Sequence, residues 1–258
     1  MIGQVEFIGA TARDLLTQPR FVGGILTVVT GAVYVLSENL ELVWLAQNHL
    51  PMHARALRGD FDFSALRAGM AVQSDGAALR FGVRAQLIAP LRFADARVWQ
   101  PTAIDPTRVA SRETVIARIK DLSGFQKPDR SDLRALIGLG EGLTPSGDDF
   151  VGGWLFAAYH LHAAYPKTAR WDQRAVDDLL KYARSRTHVI SYALLCDHAR
   201  GQSVEPLHDW LAALLCGASS REIESHARRV RAIGSTTGQH LLAGAATGVL
   251  SLADDWRR

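Results

Sequence analysis

Short apolar, β-branched runs alternate with polar or glycine-containing turns through the first hundred residues, a pattern typical of β-strands. The runs predict strands over residues 21–30, 32–36, 40–45, 71–73, 78–83, 86–88 and 97–99. Ser74-Asp75-Gly76 lies between two of these runs and predicts a hairpin, since glycine readily adopts the positive φ of a tight turn. Several short strands at this spacing indicate a small sheet or a partly closed barrel.

The period of the apolar residues changes after Pro101 and Pro106. From there they recur at helical spacing, as in Val115, Ile116 and Ile119. Helices are predicted over residues 111–122, 150–165, 175–186, 188–198, 207–216, 221–233 and 236–252. We therefore expect an α+β fold, with a β-rich N-terminal domain over residues 1–107 and a mostly helical domain over residues 108–258.

Composition and charge narrow the function classes. The 29 Lys and Arg residues stand against 26 Asp and Glu, and the net charge of +3 is too small for the clustered basic surface typical of nucleic-acid binding. Cys196 and Cys216 form no metal or disulfide motif, the N-terminus lacks a signal-peptide pattern, and no apolar run has membrane length and composition. These features predict a cytoplasmic protein with reduced thiols and with neither nucleic acid nor membrane as a partner.

The chain is richest in glycine between residues 138 and 149, which read Gly-Leu-Gly-Glu-Gly-Leu-Thr-Pro-Ser-Gly-Asp-Asp. Glycines at this density indicate backbone that turns sharply or approaches another group closely. Thr144 and Pro145 predict a helix start, as N-cap and first helical residue, ahead of the apolar run 150–165. Such a loop offers backbone N–H groups to an anion, with hydroxyl donors from Thr144 and Ser146. No Gly-Lys-Ser/Thr follows, so the loop is not a Walker motif.

Two adjacent acids, Asp148 and Asp149, complicate an anion site. They fall in the first turn of the predicted helix, where carboxylates complement the helix dipole, but they repel a bare phosphate. The pair fits better if it holds a divalent cation, binds an amide or ammonium group, or orients a cationic side chain. The alternative is a tight loop with an acidic helix start and no ligand.

A second segment near the C-terminus shares the pattern of residues 146–153. Residues 237–244, Thr-Gly-Gln-His-Leu-Leu-Ala-Gly, repeat its order of hydroxyl, glycine, two polar, two apolar, small and glycine residues. Because small residues let helices approach closely, we expect the two helices to pack side by side with their polar N-termini at one site. An internal duplication is one interpretation of the pattern.

The block Gly-Leu-Thr-Pro-Ser-Gly-Asp-Asp at residues 142–149 resembles the hallmark of the AllH-like proteins, a bacterial family long catalogued as a domain of unknown function. Residues 233–238, Ile-Gly-Ser-Thr-Thr-Gly, are similar to a second block of the family, which usually ends Ser-Gly; Thr237 keeps the hydroxyl. The likeness extends more loosely over most of the chain. One member of this family is the AllH subunit of the oxamate carbamoyltransferase of anaerobic allantoin breakdown.

The resemblance implies a subunit of a three-component carbamoyltransferase. Its partners would be an FdrA-type subunit, similar to the succinyl-CoA synthetase α chain, and an AllG-like subunit. The implied reaction converts the small molecules oxalurate and phosphate to oxamate and carbamoyl phosphate, or acts on a related carbamoyl substrate. No resident cofactor and no metal ligand is expected, although magnesium stays open. The alternatives are a non-catalytic scaffold subunit of that complex and a free-standing magnesium-dependent phosphoryl-transfer enzyme.

The predicted site joins the two blocks. Its catalytic candidates are Asp148, Asp149 and His240. Its candidate substrate-binding residues are Gly140, Gly142, Thr144, Ser146, Gly147, Thr236, Thr237 and Gly238. Catalysis would consist mainly of positioning and oxyanion stabilisation, so that no dedicated nucleophile is required.

Overall fold

The computed structural model describes residues 3–18, 21–82, 88–121 and 133–251. Contacts divide the chain into two compact units, Met1–Pro101 and Thr102–Arg258. Within the described residues, the first unit consists of strands with one short helix, and the second consists of helices. The predicted α+β class, with a β-rich part followed by a helical part, is confirmed.

The β-rich unit is built on one nine-stranded sheet. Its elements are β1 (Gly3–Gly9), α1 (Ala10–Leu16), β2 (Val22–Val29), β3 (Ala32–Ser37), β4 (Leu42–Gln47), β5 (Ala56–Phe61), β6 (Ala71–Ser74), β7 (Ala78–Phe81), β8 (Ile88–Arg92) and β9 (Arg97–Trp99). The strand order is β8-β7-β6-β2-β3-β4-β5-β1-β9. The edge strand β8 also contacts β1, next to the opposite edge. The sheet therefore curls into the partly closed barrel that the spacing of strands predicted.

The turn between β6 and β7 has a local cause in the sequence. These strands pair antiparallel, and Gly76 adopts a φ of 86° between them. Asp75 Oδ1 accepts hydrogen bonds from the backbone N–H groups of Ala77 and Ala78, at 3.0 and 2.8 Å. An aspartate that bonds its own following backbone stabilises a turn, and glycine supplies the positive φ. The predicted hairpin is confirmed.

Two strands and a helix in this unit were not predicted from the sequence: β1, α1 and β5. The strand β5 carries Gly59 and Asp60, which have low strand propensity, yet it lies between β4 and β1. A Cβ at Gly59 would lie 2.0 Å from the carbonyl oxygen of Gln4, so glycine is required where the strands meet. Residues 83, 86, 87, 122 and 252, which belong to predicted elements, lie outside the described residues.

The second unit contains the helices α2 (Arg112–Asp121), α3 (Leu133–Leu136), α4 (Ser146–Ala164), α5 (Gln173–Ala183), α6 (Val189–His198), α7 (Glu205–Leu215), α8 (Ser220–Arg231) and α9 (Thr237–Ser251). The predicted helices are confirmed with small shifts at their ends. The helices α4 and α9 form the most extensive contact and lie at the centre of the unit. Against α4 pack α3 and α6, and against α9 pack α2 and α8. Among the described residues, no helix combines the length and apolar character needed to cross a membrane.

Glycines bring α4 and α9 into backbone contact. A Cβ at Gly153 would lie 1.9 Å from the carbonyl oxygen of Leu241, and a Cβ at Gly244 would lie 1.9 Å from that of Phe150. Further along, Gly248 approaches the backbone of Trp154. Because Phe150 faces Gly244 and Trp154 faces Gly248, the two helices run in the same direction. Their N-termini therefore lie at the same end of the pair.

Candidate functional site

The glycine-rich loop folds back over the first turn of α4. The carbonyl oxygen of Leu139 accepts hydrogen bonds from the Gly147 N–H at 2.8 Å and from Ser146 Oγ at 3.3 Å. The helix begins at Ser146 with Pro145 as N-cap, so the prediction that Thr144 caps the helix is wrong. A backbone carbonyl satisfies the N–H group that a capping side chain would otherwise bind. The Thr144 hydroxyl is thereby left for other contacts.

Three glycines give this loop its shape. Gly138, Gly140 and Gly142 have φ values of 77°, 119° and 89°, a region that other residues rarely adopt. A Cβ at Gly138 would lie 2.3 Å from the carbonyl oxygen of Arg186, and one at Gly140 would lie 2.8 Å from the backbone nitrogen of Ser146. The close approach inferred from the density of glycines is confirmed at these two positions.

Asp148 is a buried anchor, with 2% of its surface exposed. Its Oδ1 accepts a hydrogen bond from the Gly138 N–H at 2.8 Å, and its Oδ2 accepts from Ser191 Oγ at 2.7 Å and from Thr187 Oγ1. Both oxygens are thus engaged by the protein itself, across the glycine loop and the start of α6. This arrangement favours a positioning role for Asp148 over direct contact with a ligand.

Two hydroxyl side chains near the start of α6, those of Thr187 and Ser191, are of a type that often caps a helix. The structure assigns the capping of α6 to His188, whose Nδ1 accepts from the Ile190 N–H at 3.2 Å. Thr187 and Ser191 instead donate to Asp148. Thr187 precedes the N-cap of α6 and Ser191 lies in its first turn, so the two hydroxyls approach Asp148 from the start of this helix.

Asp149 is buried like its neighbour but differs from it in its hydrogen bonding. It is 7% exposed, and its Oδ2 has no hydrogen-bond partner among the described residues. The pKa of this carboxyl is raised to about 7: burial is the largest cause and the negative charge of Asp148 adds to it, while hydrogen bonds from the hydroxyls of Thr237 and Thr144 act in the opposite direction. A substantial fraction of Asp149 is therefore protonated near neutral pH and able to donate a hydrogen bond.

The two helix starts meet at Asp149. Thr144 Oγ1, at the start of α4, lies 3.2 Å from Thr237 Oγ1, at the start of α9. Because α4 and α9 are parallel, the positive ends of both helix dipoles point toward this group. The site therefore combines a buried, protonatable carboxyl and two hydroxyls with a region of positive potential.

The starts of α4 and α9 also share their local geometry. The Gly238 N–H donates to the Ile233 carbonyl at 3.0 Å, as the Gly147 N–H donates to that of Leu139. A Cβ at Gly238 would lie 1.8 Å from the Val230 carbonyl oxygen, and one at Gly147 would lie 2.0 Å from that of Leu136. The predicted side-by-side packing with both polar N-termini at one place is confirmed. The equivalent contacts support the interpretation of residues 146–153 and 237–244 as an internal duplication.

Comparison with known proteins identifies the same region. Residues 136–249 match the AllH family. The family is described as oxamate carbamoyltransferase subunit AllH, and the match covers somewhat less than half of the 258 residues. Neither the curated proteins nor the solved structures contain a match to this chain. The predicted resemblance is confirmed over this segment, which contains both helix starts.

Within the AllH segment, the contacts bring together some of the predicted site residues. Thr144, Asp149 and Thr237 meet directly, and Ser146 and Gly147 lie beneath the loop. Gly140 covers Ser146, and Gly238 seats α9 against α8.

Thr236, His240 and Gly142 lie in the same matched segment, but the hydrogen bonds described above do not join them to Asp149. The carbonyl of Thr236 accepts from the backbone N–H groups of Gln239 and His240. His240 is half-buried at the α9 position equivalent to Asp149, and Gly142 shapes the loop. The catalytic and ligand-binding roles stay predictions for these residues and for the rest of the predicted site.

Proposed function

We propose that this chain is a subunit of a multi-component carbamoyltransferase of the oxamate carbamoyltransferase type, and that substrate binds where α4 and α9 begin. The observation that carries the proposal is the buried Oδ2 of Asp149, unpartnered within the described residues and flanked by Thr144 and Thr237 in an AllH-matched segment. A buried polar atom without a partner is costly in a purely structural site. A ligand that bonds this oxygen offsets that cost.

The electrostatics of the site suit an anionic substrate. Two parallel helix N-termini attract phosphate and carboxylate groups. The repulsion expected from two adjacent acids is reduced, because Asp148 is satisfied by three protein donors and the pKa of Asp149 is raised to about 7. A neutral carboxyl donates a hydrogen bond to an anion, where a carboxylate repels it.

The proposed reaction gives Asp149 a defined role. An oxygen of HPO₄²⁻ attacks the carbamoyl carbon of oxalurate, and the tetrahedral oxyanion faces the helix N-termini and the threonine hydroxyls. The carbon–nitrogen bond then breaks, its electron pair stays on nitrogen, and Asp149 transfers its proton to that nitrogen to give oxamate. Asp149 regains a proton from the former phosphate hydroxyl, which leaves carbamoyl phosphate as a dianion. A group with a pKa near the working pH suits both transfers.

The two alternatives fit the site less well. A magnesium-dependent phosphoryl transfer would use the acid pair to hold the ion, but both oxygens of Asp148 are engaged by Gly138, Thr187 and Ser191. A pure scaffold role leaves the unpartnered oxygen of Asp149 without a purpose.

FdrA-type and AllG-like subunits are the proposed partners, and His240 is a further proposed ligand contact.

The test is turnover of the co-expressed complex with oxalurate and phosphate, measured as carbamoyl phosphate formed. We expect Asp149→Asn to lower kcat by about 10²-fold or more, because the proton donor is lost. Asp178→Asn removes an exposed carboxylate on α5 and is the matched control, expected to retain wild-type turnover. An assembled wild-type complex that forms no carbamoyl phosphate would sink the proposed reaction. Unchanged turnover in Asp149→Asn would remove Asp149 from it.

A further inference from the structure

Leu139 stands out on the surface of the glycine loop. Its side chain is 59% exposed, although it lies between Gly138 and Gly140 and next to the candidate site. A single exposed leucine is ordinary on a protein surface. The surroundings of this one are not.

Two arginines and a tyrosine lie beside the same loop. The guanidinium carbons of Arg134 and Arg186 lie 5.1 and 4.9 Å from the centre of the Tyr182 ring. Arg134 belongs to α3, which leads directly into the loop, and the Arg186 carbonyl meets the backbone at Gly138. Both arginines are exposed. We call Arg134, Leu139, Tyr182 and Arg186 the Leu139 surface.

We infer that the Leu139 surface docks a partner subunit of the complex, through an acidic segment of that subunit that also carries an apolar side chain. The inference rests on the proposed function, since it assumes a hetero-complex. Arginine and tyrosine are enriched at protein interfaces, and cations held against one aromatic ring are already ordered before binding. Charge complementarity with two arginines selects an acidic partner, and Leu139 selects an apolar contact at its centre.

The same residue connects docking to the ligand site. The carbonyl of Leu139 caps the first turn of α4, through the Gly147 N–H and Ser146 Oγ, while its side chain points to solvent. A partner that holds the side chain therefore fixes the carbonyl that covers the helix start. Docking would thus set the shape of the substrate site.

The experiment is co-expression of the affinity-tagged chain with the FdrA-type and AllG-like subunits, followed by quantification of what co-purifies. We expect Leu139→Ser and Arg186→Glu each to lower capture of one of these subunits about tenfold or more, as at an interface hot spot. The matched controls are Leu40→Ser, since Leu40 is 58% exposed in the other unit, and Arg170→Glu, an exposed arginine away from the loop. Both controls are expected to capture as the wild type does. Equal thermal unfolding midpoints establish that the variants are folded.

Wild-type capture by Leu139→Ser and Arg186→Glu would overturn the inference, as would a wild-type chain that captures neither subunit. Equal loss in Arg170→Glu would overturn the assignment to this surface and indicate a general effect of charge. These outcomes are separate from the proposed chemistry. Asp149→Asn is expected to assemble normally while losing turnover, and calorimetric titration of the isolated chain with phosphate and oxalurate tests the ligand site without any partner.

Discussion

The starts of α4 and α9 have the same backbone arrangement but different polar side chains. In both, a glycine N–H bonds a preceding carbonyl, and the glycine lies against the backbone of the element before it. The residues at the third and fourth positions differ: Asp148 and Asp149 in α4 are buried, while Gln239 is exposed and His240 half-buried in α9. The shared positions are those that pack. The unshared positions are those to which chemistry can be assigned.

The first test of this comparison concerns the glycine contacts between α4 and α9. We expect Gly153→Ala and Gly244→Ala each to lower the free energy of unfolding by about 3 kcal/mol or more, because the new methyl group would lie 1.9 Å from a backbone oxygen. Urea denaturation of the isolated chain measures this, with Gln239→Ala on the exposed side of α9 as the control. A loss at only one of the two glycines would show that the contact is not reciprocal.

The two aspartates provide the second test. Asp148→Asn removes the negative charge that accepts three hydrogen bonds. One carboxylate oxygen becomes an NH₂ group, which donates and therefore cannot accept from the same donors. We expect a loss of about 2–3 kcal/mol of unfolding free energy. Asp149→Asn is expected to be neutral or stabilising, since burial disfavours its charged form. Urea denaturation at pH 7.5 compares them, and equal losses would contradict the division of roles.

The pH dependence of stability sharpens the assignment of Asp149. Its pKa is raised from 3.8 to about 7 in the folded chain, so between these values the unfolded chain loses this proton and the folded chain keeps it. The contribution of Asp149 to stability therefore falls as pH rises from about 4 to about 7, and is constant above. Relative to Asp149→Asn, the wild type should lose on the order of 4 kcal/mol over that window, since each unit of pKa difference corresponds to about 1.4 kcal/mol. A constant difference between the two, by urea denaturation at several pH values, would contradict the raised pKa.

The threonine at the start of α9 gives the smallest expected effect. The Thr237 hydroxyl lowers the pKa of Asp149, so Thr237→Val should raise it further. Carboxyl-selective NMR of the labelled chain follows the titration directly. Thr247→Val, on the same helix but bonded to the Ala243 carbonyl, is the control. A pKa that stays where it was would place Thr237 outside the electrostatic environment of Asp149.

The sequence predicts elements well where one pattern dominates. The apolar runs of α4 and α9, and the Asp-Gly turn between β6 and β7, have local causes and were found where predicted. The strand β5 was missed because its Arg-Gly-Asp centre is dictated by neighbouring strands, and Gly59 is needed for contact with Gln4, far away in sequence. Tertiary packing decides there, and no local pattern records it.

The proximity of several candidate site residues was predicted from the sequence, but their individual contacts were not. The glycine loop, the paired helix starts and Asp149 all belong to the predicted set. The different roles of Asp148 and Asp149 could not be predicted, because adjacent residues on a helix face different directions and only the position of α6 shows which one is occupied. The helix start shifted by one residue because Leu139 supplies the cap that was expected from Thr144.

The pairing of α4 with α9 also has a consequence for the order in which the molecule is made. The two helices begin about ninety residues apart, so at roughly 5–20 residues per second a ribosome delivers α9 several seconds after α4. During that interval α4 can acquire α3, α5 and α6, but the glycine face that receives Leu241 stays open. A chain interrupted before α9 contains every partner of Asp148 but lacks Thr237, which Asp149 needs beside it.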